Sequence, residues 1–271
     1  MAAAPLVISS PANPRVKGLL ALRRRRIREA DRRTLVEGYE ELRLALEAGV
    51  VPRTLYFCPA LMGREAGQDD VVARVSALGG EVVELTRPVF EKAAYREGPD
   101  GFLAVVDTVD RTCADLSPLL PETPLVLVCQ GVEKPGNLGA MLRTADAAGV
   151  DAVVAADPVT DWGNPNTVRA SKGTVFSVPV ASDSTEVTLE WLASHRIPLL
   201  AATPDTDTLH TDVDLTGPVA IAVGTEKEGL TPELMSAAAH RVRIPMVGRA
   251  DSLNVATSAA ILLYEVVRQR G

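Results

Sequence analysis

The run LVLVC at residues 125–129 is apolar at every position. A strand with one face in water alternates polar and apolar residues. A strand without alternation must be covered on both faces, which is the condition of a parallel sheet sandwiched between helices. The rest of the chain keeps this rhythm. Helical periodicity at 138–148 leads to an apolar run at 152–155, and a helical stretch at 189–195 leads to one at 198–202. A further apolar run at 219–223 and a strand candidate at 241–245 precede a long, apolar-faced helical stretch at 254–269. Strand and helix in alternation give an α/β fold with a parallel sheet. Ligands of such sheets sit at the carboxyl ends of the strands. Three polar, glycine-bearing segments follow apolar runs there: NLGAMLRTADAAGV (137–150), AVGTEKEGL (222–230) and IPMVGRADSLNVATSAAI (244–261). Together they predict one composite site.

The preceding residues read as a separate, smaller α/β unit. Residues 11–22 and 35–48 have helical periodicity, and 54–57, 81–85 and 103–106 are short strand candidates. Pro118, Pro121 and Pro124 lie in a polar stretch that reads as a linker. The expected division is 1–110, a linker at 111–123, and 124–271.

The net charge of −7 argues against a nucleic-acid partner until its distribution is considered. Residues 1–36 carry nine basic and two acidic side chains, a balance of +7, so the remainder carries −14. A basic end on an acidic body suits RNA phosphates. Arg23, Arg24, Arg25 and Arg26 are consecutive and cannot share one helix face, so contact with phosphate is expected from this run.

Neither a Gly-x-Gly-x-x-Gly fingerprint nor a Walker loop follows the 125–129 run, where Gly131, Gly136 and Gly139 have the wrong spacing. An adenosine-containing cofactor has to be held some other way. Read in order, Asn137, Gly139 and Arg143, then Gly224, Glu226 and Gly229, then Ser252, Leu253, Asn254 and Val255, resemble the three motifs of the SpoU/TrmH branch of the SPOUT RNA methyltransferases. The resemblance covers roughly residues 123–271. It implies a SPOUT domain with a deep trefoil knot, S-adenosyl-L-methionine gripped by backbone groups in that knot, a homodimer with its sites near the interface, and methylation of a ribose 2′-hydroxyl. TLVEGYEELRLALEAGV (34–50) and GFLAVVD (101–107) resemble the ribosomal-protein-like RNA-binding domain of the same branch. The segment REGPDG departs from the Gln-Gly pair that often stands before the residue corresponding to Gly101.

The resemblance assigns the key role to Arg143. A free guanidinium has a pKa above ~12 and is a poor base, so stabilising a developing alkoxide or anchoring the adjacent phosphate fits it better. Asn137, Glu226, Ser252 and Asn254 are expected to complete the catalytic pocket. Gly224 and Gly229 permit close backbone approach to the cofactor. Ile244, Met246 and Leu253 offer apolar walls for adenine, and the N–H groups around Leu253 and Val255 offer donors at a helix start. The same residues also have ordinary readings: Asn137 and Ser252 as helix caps, Glu226 as a carboxylate favouring a helix start, Gly229 as a turn. In RASKGTVFSVPV (169–180), Arg169 is a candidate RNA contact with a structural ion pair as its equal alternative. Trp162 reads as a packed loop aromatic before a base-stacking one.

Cys58, Cys113 and Cys129 have no metal-ligand or disulfide spacing and read as idle thiols of a cytoplasmic protein. No metal is expected. The N-terminus makes a poor signal peptide and no run spans a bilayer. The expected substrate is 23S rRNA, with tRNA as the alternative within the same chemistry and antibiotic protection as one further role. A non-catalytic ribosome-assembly factor and a small-molecule methyltransferase are the competitors from other classes.

Overall fold

A computed structural model describes residues 5–63, 67–225 and 227–271. The chain forms two units: one holds the residues up to Val109 together with Trp162–Ser177, the other Asp110–Asp161 with Val178–Gly271.

The first unit runs β1 (Leu6–Ile8), α1 (Pro14–Ala21), α2 (Arg25–Asp31), β2 (Arg33–Glu37), α3 (Tyr39–Glu47), β3 (Thr54–Phe57), α4 (Gln68–Ala77), β4 (Glu81–Leu85), α5 (Arg87–Ala93) and β5 (Phe102–Asp107). The sheet order is β1-β4-β3-β5-β2, with β5 antiparallel to both its neighbours. The strands expected at 54–57, 81–85 and 103–106 are present, the last extended by one residue at each end. The helix expected over 35–48 divides instead. Thr34, Leu35 and Val36 are buried in β2, with Leu35 paired to Val105. Gly38, at φ +117°, turns the chain before α3, and a side chain there would collide with the Glu41 carboxylate. Burial on both faces of β2 erased the alternation that would have separated it from the helix.

The second unit begins at Asp110 and takes in the stretch read as a linker. Thr112 and Asp115 cap each other across a one-turn helix, α6 (Cys113–Leu116). Cys113 and Leu116 join the core formed by Trp191, Val126 and Val154, and Trp191 Nε1 donates to Ser117 Oγ at 3.0 Å. Then follow β6 (Leu125–Gln130), α7 (Pro135–Ala147), β7 (Ala152–Ala156), α8 (Pro165–Ala170), β8 (Val180–Asp183), α9 (Thr185–Ser194), β9 (Leu199–Ala202), β10 (Val219–Val223), α10 (Pro232–Ala237), β11 (His240–Val242) and α11 (Val255–Arg270). The six strands are parallel, ordered β11-β9-β10-β6-β7-β8. Every residue of β6, β7 and β10 is buried, and each fully buried Val or Leu contributes about 1.5–3 kcal/mol. The chain leaves β6 toward β7 and β8, then returns to place β9 and β10 on its other side. The reversal at the β6–β10 pair is a topological switch point.

α8 belongs to the first unit, although it lies between β7 and β8 in sequence. It packs on β2, where Thr34 Oγ1 donates to the Gly163 carbonyl. Trp162 is 1% exposed, so this aromatic serves packing and cannot receive a base without the unit opening. All three cysteines are free and buried; desolvation pushes the thiols of Cys113 and Cys129 up to about 12.

Candidate active site at the carboxyl edge of the parallel sheet

The ends of β9, β10 and β11 open into a cavity of about 500 Å³. Its walls include Thr203 and Asp205 after β9, residues 224, 225 and 227–230 after β10, and Ile244, Met246, Ser252, Leu253 and Val255 on the approach to α11. A second cavity of about 400 Å³ lies at the ends of β6 and β10, with Glu133, Lys134 and Asn137 on its wall. Gly224, Thr225, Lys227, Glu228 and Val255 line both, so the loop after β10 is a partition with a face toward each.

Two backbone hydrogen bonds close that loop: Thr225 N to Gly229 O at 3.0 Å and Gly229 N to Thr225 O at 3.1 Å. Thr225 Oγ1 accepts from Glu228 N at 3.0 Å. Gly229 takes φ +71°, the left-handed region. Gly224 is required for a different reason: a Cβ there would lie 2.5 Å from Leu230 N and nearer still to the Gly229 carbonyl.

Behind the loop is a buried polar network. Gln130, at the end of β6, accepts from Thr231 N at 2.9 Å and donates from Nε2 to Thr231 Oγ1 at 2.9 Å and Thr185 Oγ1 at 2.7 Å. Thr185 donates in turn to Asp157 at 2.6 Å. Thr231 is the cap of α10, so Gln130 fixes the far end of the partition to the sheet. The sequence signal for this network is Gln130 itself: a glutamine closing an otherwise apolar buried strand needs its polar atoms satisfied.

The first and third motifs meet directly. α7 starts at Pro135, with Lys134 in the N-cap position, so Asn137 sits within its first turn rather than at the cap. Asn254, not Ser252, caps α11, accepting from Ala256 N at 3.0 Å. Asn254 Nδ2 donates to Asn137 Oδ1 at 3.2 Å. Asn137, Asn254, Ser252, Leu253, Val255, Gly224, Gly229, Ile244 and Met246 therefore gather around the two cavities. Glu226 lies outside the described residues. Arg143 stands apart: it is exposed on α7, lines neither cavity, and its side chain makes no hydrogen bond or ion pair among the described residues.

The basic run divides by role. Arg23 donates to the carbonyls of Lys92, Ala93 and Ala94, and Arg28 is buried against those of Leu22 and Arg23. Arg25 pairs with Glu29 at 2.7 Å. Arg24 and Arg26 are exposed, as is Arg169, whose Nη2 lies 3.4 Å from Asn166 Oδ1. Among the described residues no group of three His, Cys, Asp or Glu could hold a metal, and no helix is long and apolar enough to cross a membrane.

An all-parallel sheet with a glycine-walled cavity at its switch point defines a nucleotide- or cofactor-binding α/β protein. Residues 124–264 match the SpoU rRNA methylase family, and residues 13–104 match the MRM3-like substrate-binding domain. The chain belongs to the SpoU rRNA methylase family, whose members are S-adenosylmethionine-dependent methyltransferases. It is 30% identical to a 23S rRNA (uridine(2479)-2′-O)-methyltransferase of Streptomyces viridochromogenes, over 94% of this chain and 88% of that one. A crystal structure of an RNA 2′-O ribose methyltransferase is 40% identical, covering 98% and 99% of the two chains with a TM-score of 0.82. An AdoMet-bound rRNA methyltransferase from Sinorhizobium meliloti is 31% identical over 97% of each chain, with a TM-score of 0.87.

Proposed function

We propose that this chain transfers the methyl group of S-adenosylmethionine to a ribose 2′-hydroxyl of 23S rRNA. The observation that carries the reading is the Asn254–Asn137 hydrogen bond, which joins the first and third motifs beside the partition formed by the second. The larger cavity suits the cofactor. Its volume of about 500 Å³ falls within the ~300–1,000 Å³ of small-molecule sites. Ile244, Met246 and Leu253 give adenine apolar walls, a Cβ at position 224 would close the loop's approach, and Asp205 and Asp251 favour a ligand carrying sulfonium and ammonium charges. The bound cofactor supplies a methyl group that is already electrophilic.

The protein's own residues orient the nucleophile. The smaller cavity receives the ribose, where Asn137 and Lys134 present polar groups to it. Arg143 stabilises the forming alkoxide or holds the neighbouring phosphate. Its placement on an open face of α7, away from its own cavities, supports a homodimer in which the guanidinium serves the cavity of a second copy. The first unit binds the RNA, with Arg24, Arg26 and Arg169 as phosphate contacts. The reaction is placed in the cytoplasm with the ribosome. Shielding of the ribosome from a drug that touches the modified ribose is the finer form of the proposal; unchanged drug sensitivity after gene deletion would remove it. The test of the reaction is transfer of labelled methyl to transcripts of 23S rRNA, 16S rRNA and tRNA side by side. Label confined to tRNA would keep the chemistry and replace the substrate.

A further inference from the structure

One aromatic ring in the first unit is both exposed and immobilised. Tyr95 follows the C-terminus of α5 and is 41% exposed. Its backbone N–H donates to Glu37 Oε2 at 2.7 Å, and the next N–H, of Arg96, donates to Glu37 Oε1 at 3.1 Å. The Glu37 side chain is buried in β2. The Tyr95 hydroxyl accepts from Asn166 Nδ2 at 3.2 Å. The ring lies over the Arg23 guanidinium, 5.5 Å from carbon to centroid, and Arg23 is itself tied to the Ala93 and Ala94 carbonyls at 2.9 and 2.6 Å. Backbone, hydroxyl and one ring face are thus fixed from within the unit while much of the ring stays in water.

An exposed tyrosine ordinarily keeps its rotamer freedom, and holding it this way costs conformational entropy. A preorganised ring recovers that cost on binding, because less freedom is lost when a partner arrives. The surroundings indicate the partner. Arg24 and Arg26 follow Arg23 in sequence and are exposed, and Arg169 neighbours Asn166. A π face among cations matches an unpaired base with its phosphates. Resting on the reading of this unit as the RNA-binding part, we propose that Tyr95, seated on Arg23 and Asn166, is the platform on which the first unit stacks an unpaired base of its RNA.

The test is filter binding of a 23S rRNA transcript to the full chain, with S-adenosylmethionine affinity, melting temperature and sedimentation measured on the same samples. Tyr95→Ala should weaken RNA binding roughly tenfold to a hundredfold, the worth of one stacked base, with cofactor affinity unchanged. Tyr95→Phe, which keeps the ring, should stay within about twofold, and Tyr95→Trp should bind as tightly as the parent. Parental RNA affinity in Tyr95→Ala overturns the proposal. So does a loss that Trp fails to rescue, or a loss of dimer in place of RNA. The outcome is separable from the reaction itself. A parent that methylates RNA with Tyr95 silent refutes only the platform. A parent that transfers no methyl, yet loses RNA when Tyr95 is truncated, refutes only the reaction.

Discussion

Replacing Gly224 by Ala tests the partition between the two cavities. The added Cβ would stand 2.5 Å from Leu230 N, and closer to the Gly229 carbonyl, where real Cβ atoms essentially never approach within 3.0 Å. The obstruction is backbone, so no side chain can swing away. The 229–230 segment must retreat by at least about 0.9 Å at the Gly229 carbonyl, and the Thr225–Gly229 pair, at 3.0 and 3.1 Å, is pulled apart. Two hydrogen bonds at about 1 kcal/mol each come to ~2 kcal/mol, a drop of roughly 4–8 °C in melting temperature for a unit of this size. The functional cost should be larger than the structural one, because displacement of ~1 Å in a positioning wall costs on the order of 100-fold in rate. The assay is calorimetric titration of S-adenosylmethionine beside a thermal melt. The expected result is a Kd raised at least about tenfold in a protein still folded at room temperature. Gly229→Ala is the contrast: its φ of +71° makes a side chain strained, but the space around it is open, so it should lose ~1–2 kcal/mol of stability with a smaller change in Kd. If Gly224→Ala bound the cofactor as the parent does, the partition would have no part in the site.

Two further expectations concern the C-terminal helix and the origin of the catalytic guanidinium. Arg268 and, after it, Gln269 donate to Glu265 and hold its carboxyl down at about 2, against an ordinary value of 4.5. A depressed carboxyl stabilises the fold above its unfolded value and loses that contribution as pH falls. Glu265→Gln should therefore lower the urea midpoint at pH 7, and its gap from the parent should close between about pH 4.5 and 2; a gap constant with pH would contradict the pairing. If Arg143 serves a second copy's cavity, mixing inactive Arg143→Ala with inactive Gly224→Ala should restore about a quarter of parental activity through mixed dimers. No recovery in mixtures shown to exchange subunits would place the guanidinium within its own protomer's site.

Much of the second unit was legible because burial on both faces leaves a plain mark. The runs at 125–129, 152–155 and 219–223 became β6, β7 and β10 nearly to the residue. The elements that sequence reasoning lost were those where burial and local signal conflict. β2 is buried from Thr34 to Glu37 and reads as one element with α3. β8 is four residues long and only half of it is fully buried, too little for a strand pattern to stand out. Residues 111–123 look like a linker because prolines and polar residues punctuate them, yet Cys113 and Leu116 anchor α6 in the core. The site was legible as a set of loops, since glycines and polar residues after apolar strands mark it. Its joints were not. The Asn137–Asn254 contact spans 117 positions and the Gln130–Thr231 contact 101, and separations of that length leave no periodic trace. The arginine run was legible as charge but not as structure: Arg23 and Arg28 hold the unit together, and only part of the run is left to face solvent.

The most direct test of the central claim is alkali mapping of 23S rRNA after incubation with the protein and labelled S-adenosylmethionine, with Arg143→Ala in parallel. A 2′-O-methyl group removes the hydroxyl that attacks the adjacent phosphate, so one linkage should become resistant and carry the label. Arg143→Ala should leave that linkage cleavable while binding the cofactor with parental affinity, since Arg143 lines neither cavity. Label that stays alkali-labile, or an Arg143→Ala protein that still methylates at the parental rate, would contradict the account.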